Sequence, residues 1–246
     1  MNTVLNISAY KFINLADTAR LREIVYQQAA ALELNGTVLL AEEGINLFLA
    51  GDAHAVHQFV AHLRADARFA DLNPKESWSD TQPFKKLLVK VKREIIRMNH
   101  PAIQPAQGRA PAVSAATVRR WLEAGQDDNG RPVVTLDTRN AFEVDEGTFA
   151  GAIDWRIDKF SDFPDAFRAH KAALQDKTVV SFCTGGIRCE KAAILMREEG
   201  LEHVYQLDGG ILKYFEETDG KHFDGSCFVF DERRAVGPDL AVAPLR

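Results

Sequence analysis

The stretch Val179-Val180-Ser181-Phe182-Cys183-Thr184-Gly185-Gly186-Ile187-Arg188-Cys189-Glu190-Lys191-Ala192-Ala193 runs from an apolar strand through a cysteine into a helix. Small or flexible residues and an arginine lie between the sulfur and the helix. That layout aims backbone N–H groups and the positive end of a helix dipole back at one atom. Such a field favours the thiolate, the form of cysteine that reacts. Gly185 and Gly186 are expected to supply the unusual φ values and close approach of an anion-cradling loop. Arg188 adds a permanent charge with a fork of donors. A lone buried cysteine is ordinarily inert core, but a core position requires neither the glycines nor the arginine. Cys183 is therefore read as the catalytic residue, with Thr184, Gly185, Gly186, Ile187 and Arg188 as its anion loop.

Outward from this loop, the second half of the chain alternates strands and helices. Strands are expected near Val133, Val179 and Tyr205, with a helix from Cys189 to Glu199 stopped by Gly200. Alternation of this kind implies a mostly parallel sheet with the reactive loop at a strand's carboxyl end. Ser114 reads as the cap of a helix through Trp121 and Leu122. Before it, Pro101 to Pro111, with Gln104, Pro105, Gln107, Gly108 and Arg109, reads as a linker. Asp137 and Arg139 suit a buried ion pair that supports the loop. Cys189 either fills a small-residue position in the first helical turn or is a second thiol for Cys183. Cys227 reads as packing within the strand Phe228-Val229-Phe230.

The first hundred residues give the order βαββαβ. Val4 to Phe12 alternates as a strand, and Asp17 is expected to cap a helix through Leu21, Ile24, Val25 and Ala29. Thr37 to Ala41 and Ile45 to Ala50 form a hairpin about Glu42-Glu43-Gly44. Ala53 to Ala65 is a second helix with Val56, Phe59, Val60 and Leu63 on its apolar face. Leu72 to Trp78 and Leu87 to Ile96 read as further strands. This is the order of a ferredoxin-like sandwich, a fold that hosts many functions. Glu42, Glu43 and Asn46 fit an RNA contact and a hairpin turn equally well.

A chain of 246 residues with net charge −5 has room for two ordinary domains. It contains no apolar run long enough to span a bilayer, and Met1 to Asn6 lacks the basic start and apolar block of a signal peptide. Three cysteines without metal-site spacing fit a reducing cytosol, so a cytoplasmic protein is expected. His54, His57 and His62 do not share one helix face as a ligand set, and no metal is assigned. Against the acidic total, Lys85, Lys86, Lys90, Lys92, Arg93 and Arg97 cluster with only Glu94 opposing them. They are candidate RNA-binding residues, or alternatively the solvated face of an edge strand.

The loop Cys183 to Arg188 resembles the active-site loop of the rhodanese superfamily, whose cysteine carries a persulfide. Val133 to Arg139, Phe142 to Ile153 and Val204 to Gly210 resemble further segments of that domain. Cysteine phosphatases and arsenate reductases use a related loop, but with one more residue before the arginine and often a histidine where Phe182 stands. Gly36 to Asn46, Pro83 to Leu87, Cys183 to Lys191 and Cys227 to Arg233, in that order, resemble the bacterial rhodanese-domain tRNA uridine 5-hydroxylases. The resemblance implies an amino-terminal ferredoxin-like, acylphosphatase-like RNA-binding domain at 1–100 and a linker at 101–113. It implies a rhodanese domain at 114–224 and a carboxyl-terminal family segment at 225–246. Many family members continue into a cysteine-rich tail, whereas this sequence ends at Arg246.

What the resemblance implies for activity is oxygen-dependent formation of 5-hydroxyuridine at tRNA anticodon position 34. Molecular oxygen is then the co-substrate and the tRNA anticodon stem-loop the partner. No flavin or nicotinamide fingerprint and no two-histidine-plus-carboxylate iron site is readable, so the electron donor stays open. Cys183 either adds to C6 of uridine or bears a persulfide. Two other classes of function stay open beside the hydroxylase: a thiosulfate-type sulfurtransferase, and a noncatalytic RNA-binding protein whose rhodanese domain senses redox state.

Overall fold

A computed structural model of the chain describes residues 3–244. Met1 and Asn2 of the stretch weighed against a signal peptide, and the terminal Arg246, lie outside the described residues. The chain divides into two compact units. One holds the chain up to Arg97 together with Phe230–Arg233; the other holds Met98–Val229 and the chain from Arg234 onward.

In the first unit, β1 (Val4–Phe12), α1 (Thr18–Ala31), β2 (Asn35–Ala41), β3 (Gly44–Gly51), α2 (Ala53–Ala65) and β4 (Lys75–Ser79) follow one another, and β5 (Leu87–Val91) closes the series. The sheet order is β4-β1-β3-β2-β5. The first four strands pair antiparallel as a ferredoxin-like sandwich requires, and β5 adds parallel to β2. Period-two burial explains β1: Leu5, Ile7 and Ala9 enter one core with Leu21, Val25 and Ala29 of α1 and Val56, Phe59, Val60 and Leu63 of α2. Asp52 caps α2 by accepting from the N–H groups of His54 and Ala55 at 2.9 and 3.3 Å.

Three expectations in this unit need correction. Asp17 sits at the N-cap of α1, but its side chain makes no cap hydrogen bond. Its carboxylate instead accepts from Arg68 at 2.5 and 3.3 Å, and that guanidinium holds the carboxyl below its usual range. Leu72 is core, behind a short 3-10 turn at Ala67–Phe69, so the fourth strand begins only at Lys75. The fifth strand ends at Val91, because its partner β2 stops at Ala41 and turns into β3. Beyond it, Glu43 accepts the N–H of Ile95 at 2.7 Å and Asn46 donates to the Ile95 carbonyl at 3.2 Å. Glu43 and buried Asn46 therefore hold the following segment in place.

The second unit begins with β6 (Ala112–Val113), α3 (Ala115–Ala124), β7 (Val133–Asp137), α4 (Ala141–Val144), β8 (Gly147–Phe149) and α5 (Phe163–His170). Then come β9 (Thr178–Phe182), α6 (Ile187–Glu198), β10 (Val204–Leu207), α7 (Gly210–Thr218), β11 (Phe223–Gly225), β12 (Cys227–Phe228) and β13 (Ala235–Val236). Four strands form an all-parallel sheet in the order β6-β10-β9-β7. Every residue of β9 is buried, as expected for a central strand covered on both faces. Ser114 caps α3 through the Thr117 N–H at 3.2 Å. Ala112 and Val113, at the end of the stretch read as a linker, pair with Gln206 and Leu207 of β10. Arg109 reaches Glu190 at 2.6 Å, and Gln206 donates to the same carboxylate at 3.0 Å. A parallel sheet of this order places a loop at the carboxyl end of β9, where α6 begins.

Candidate active site

Cys183 is the first residue after β9 and is wholly buried. Its sulfur accepts the N–H of Gly186 at 3.1 Å. Gly186 is the N-cap of α6 with φ of 100°, a left-handed conformation that a side chain disfavours. Gly185 has no such requirement: a Cβ there would meet nothing within 4 Å, and it alone in the run from Ser181 to Glu190 is not buried. The expectation that both glycines supply unusual φ values therefore holds only for Gly186; Gly185 is where the loop opens.

The loop is held from its other side by α7. The N–H groups of Ile211 and Leu212, in its first turn, donate to the carbonyls of Cys183 and Thr184 at 2.9 and 3.1 Å. Gly210 precedes them at φ of 68°, and a Cβ there would lie 2.5 Å from the Cys183 oxygen and 2.7 Å from the Gly186 nitrogen. The loop and the Gly209-Gly210 turn thus approach backbone to backbone, and only glycine fits.

Arg188 lies in the first turn of α6, buried. Its Nη1 and Nη2 donate to the two carboxylate oxygens of Glu143 at 2.6 and 2.7 Å, a bidentate pair. The Asn140 N–H also donates to Glu143 at 3.0 Å. The remaining nitrogen, Nε, is buried without a hydrogen-bond partner among the described residues. Arg188 therefore has its fork committed to Glu143 and offers the loop its charge and Nε. Asp137 and Arg139 form a second buried ion pair at 2.7 Å. Arg139 also donates to the Gly147 carbonyl at 2.6 Å, and Thr148 donates to Asp137 at 2.8 Å. This pair locks the β7–α4 turn that carries Glu143 towards the loop.

Cys189 is wholly buried in the same helical turn as Arg188, and its N–H donates to the Gly186 carbonyl at 3.0 Å. Its sulfur is also 3.7 Å from Thr138 Oγ1, which donates to the Phe182 carbonyl at 2.9 Å. Burial by itself pushes the Cys183 thiol up. The hydrogen bond from Cys189, the charge of Arg188 and the N–H groups of Arg188 and Gly186 outweigh it and bring the thiol down to about 5. Burial and the neighbouring anion push Cys189 in the opposite direction. Of the two buried thiols, the site therefore favours ionisation at Cys183. Cys227, in β12, is pushed up by burial to about 12, with the charge of Arg139 and a hydrogen bond to Thr184 opposing. It is a protonated, packed thiol.

The first unit presents Lys85, Lys86, Lys90, Lys92, Arg93 and Arg97 to solvent, on and around β5. Lys85 pairs with Glu232 at 3.0 Å. Among the described residues no group of His, Cys, Asp and Glu side chains is arranged to hold a metal ion, and no helix is long and apolar enough to cross a membrane. Glu143, Thr138 and Gly210 lie in segments that carry the resemblance, but the sequence assigned them no site role. The available signal for Glu143 was the need of a buried arginine for a carboxylate.

A thiolate cradled between a parallel strand and a helix N-terminus, with an acylphosphatase-type sandwich in the same chain, defines a rhodanese-domain protein of two modules. Family models match accordingly: the UPF0176 acylphosphatase like domain over residues 4–95 and the Rhodanese-like domain over residues 114–217. A tRNA uridine(34) hydroxylase from Delftia acidovorans is 74% identical over 245 residues, covering 100% of this chain and 93% of its own. The protein of that name from Bordetella pertussis is 68% identical over 99% of each chain. Among solved structures, the rhodanese-like domain of an Anabaena protein aligns with 47% of this chain and 80% of its own, at 22% identity and a TM-score of 0.38. The chain belongs to the tRNA uridine(34) hydroxylase family.

Proposed function

We propose that this chain hydroxylates C5 of the uridine at tRNA position 34, with molecular oxygen as co-substrate and Cys183 as nucleophile. The observation that carries the reading is the buried Cys183 sulfur, which accepts the Gly186 N–H at the head of α6. It stands in a chain 74% identical to a protein named tRNA uridine(34) hydroxylase. A thiolate that adds to C6 of a pyrimidine pushes the electron pair of the 5,6 double bond towards C5 and O4, which makes C5 nucleophilic. With its thiol held down to about 5, Cys183 needs no separate base near neutral pH. As the sulfur gives up its charge, the loop N–H groups and the charge of Arg188 become available to the anionic oxygen.

An anticodon base is already single-stranded, so extruding it costs little. The cations from Lys85 to Arg97 supply phosphate contacts, and such a reaction belongs in the cytoplasm with the tRNA pool. Mass spectrometry of tRNA nucleosides from a deletion strain, complemented with the wild type or Cys183→Ala, tests this reading. Loss of 5-hydroxyuridine, restored only by the wild type, is expected. Loss of thiolated uridine would instead identify a persulfide-based sulfurtransferase, and unchanged nucleosides a noncatalytic binder. An anticodon stem-loop containing 5-fluorouridine is expected to trap a covalent adduct at Cys183.

A further inference from the structure

Converting C5–H to C5–OH with dioxygen leaves one oxygen atom to be reduced to water. That step needs two electrons and two protons beyond those the base supplies. The structure brings two thiols together at the reacting atom. Cys183 Sγ accepts the Gly186 N–H at 3.1 Å, and the Gly186 carbonyl accepts the Cys189 N–H at 3.0 Å. This fold of the backbone sets the two cysteines across a single loop turn. Thr138 Oγ1 spans the pair from the β7 side, bonded to the carbonyl that precedes Cys183 and 3.7 Å from Cys189 Sγ. Both sulfurs are wholly buried.

We propose that Cys183 and Cys189 together are the immediate two-electron donor of the reaction, passing from dithiol to disulfide once per oxygenation. The inference rests on the oxygen-dependent hydroxylation proposed above. The Cys183 thiolate adds to C6 and the displaced electron pair forms the C5 enolate. C5 gives that pair to dioxygen, a C5–O bond forms, and the peroxide takes a proton. Loss of the C5 proton expels the Cys183 thiolate and restores the 5,6 double bond, leaving a C5 hydroperoxide. The freed thiolate attacks the outer oxygen, the O–O bond breaks, and the inner oxygen takes a proton as 5-hydroxyuridine. Cys183 is now a sulfenic acid. The Cys189 thiol attacks its sulfur, hydroxide leaves with a proton as water, and the disulfide closes. In sum, uridine, dioxygen and two thiols yield 5-hydroxyuridine, water and one disulfide. An external dithiol then resets the pair by exchange.

The test uses the full chain, reduced, freed of reductant, and exposed to air with an anticodon stem-loop. Product is measured by mass spectrometry, and thiols are titrated after denaturation. About one 5-hydroxyuridine per chain is expected, with free thiols falling from three to one. Peptide mapping should find Cys183 joined to Cys189, and turnover should resume on adding dithiothreitol. Cys189→Ser, or Cys189→Ala should serine perturb folding, is expected to accumulate a dimedone-reactive sulfenic acid at Cys183. That label should depend on both RNA and oxygen, a signature that a purely structural role for Cys189 would not produce. Product formed with all three thiols intact, or no sulfenic acid in the Cys189 variants, overturns this inference alone. Absence of 5-hydroxyuridine even with dithiothreitol present overturns the hydroxylation reading and this inference with it.

Discussion

Replacing Cys189 by alanine removes the neighbouring thiol that does most to hold Cys183 low, by a contribution of the size of one hydrogen bond, while Gly186, Arg188 and the burial of the sulfur stay as they are. A hydrogen bond to a charged group is worth about 1.5–3 kcal/mol, and one pH unit corresponds to about 1.4 kcal/mol. The half-titration point of Cys183, at about 5 in the wild type, is therefore expected to rise by about one to two pH units. The sign is fixed: the missing donor stabilised the anion, so the variant takes up its proton at higher pH. Thiolate absorbance in the ultraviolet reads this directly, with Cys183→Ser subtracted as baseline. In both proteins the signal falls as pH falls, and the variant should lose it first. An unchanged half-point, or one below that of the wild type, would refute the claim that Cys189 holds the Cys183 thiol low.

Gly210→Ala should strain the loop and cost about 2–5 kcal/mol, combining a left-handed backbone with overpacking, whereas Gly185→Ala should leave the denaturation midpoint almost unmoved. Urea melts of the two variants decide between them. Asp137→Asn leaves buried Arg139 without its counter-charge and is expected to destabilise the fold by about 3–5 kcal/mol, measured by the same melts. Lys90→Ala and Lys92→Ala should each weaken tRNA binding and lower the salt slope by about one for each phosphate no longer neutralised. A slope that does not change would remove those lysines from the RNA interface.

Local patterns carried much of the architecture into the sequence. The strand from Val4 to Phe12 and the helix from Ala53 to Ala65 coincide with β1 and α2, because alternation and a 3.6-residue stripe are properties of neighbouring residues. The cysteine loop was legible for the same reason. What failed was long-range. Asp17 has the chemistry of a cap, yet a guanidinium from Arg68, far along the chain, claims its carboxylate. Lys90-Val91-Lys92 continues the alternation of β5, but the length of β2 ends the ladder at Val91. Arg188 was recognisable as a cation beside the sulfur, while Glu143, which holds both of its terminal nitrogens, comes from a short helix after β7. Only the parallel pairing of β7 with β9 brings the two together. Gly185 and Gly186 are identical letters, and their different duties follow from where α6 and α7 begin.

The central claim is that the Cys183 thiolate activates uridine 34 for reaction with oxygen. Its most direct test incubates the reduced protein, wild type or Cys183→Ser, with an anticodon stem-loop under isotopically heavy dioxygen and weighs the nucleosides after digestion. Wild type should yield 5-hydroxyuridine carrying the heavy oxygen, with none from Cys183→Ser. Heavy 5-hydroxyuridine formed equally by Cys183→Ser, or product whose oxygen comes from water, would contradict the account.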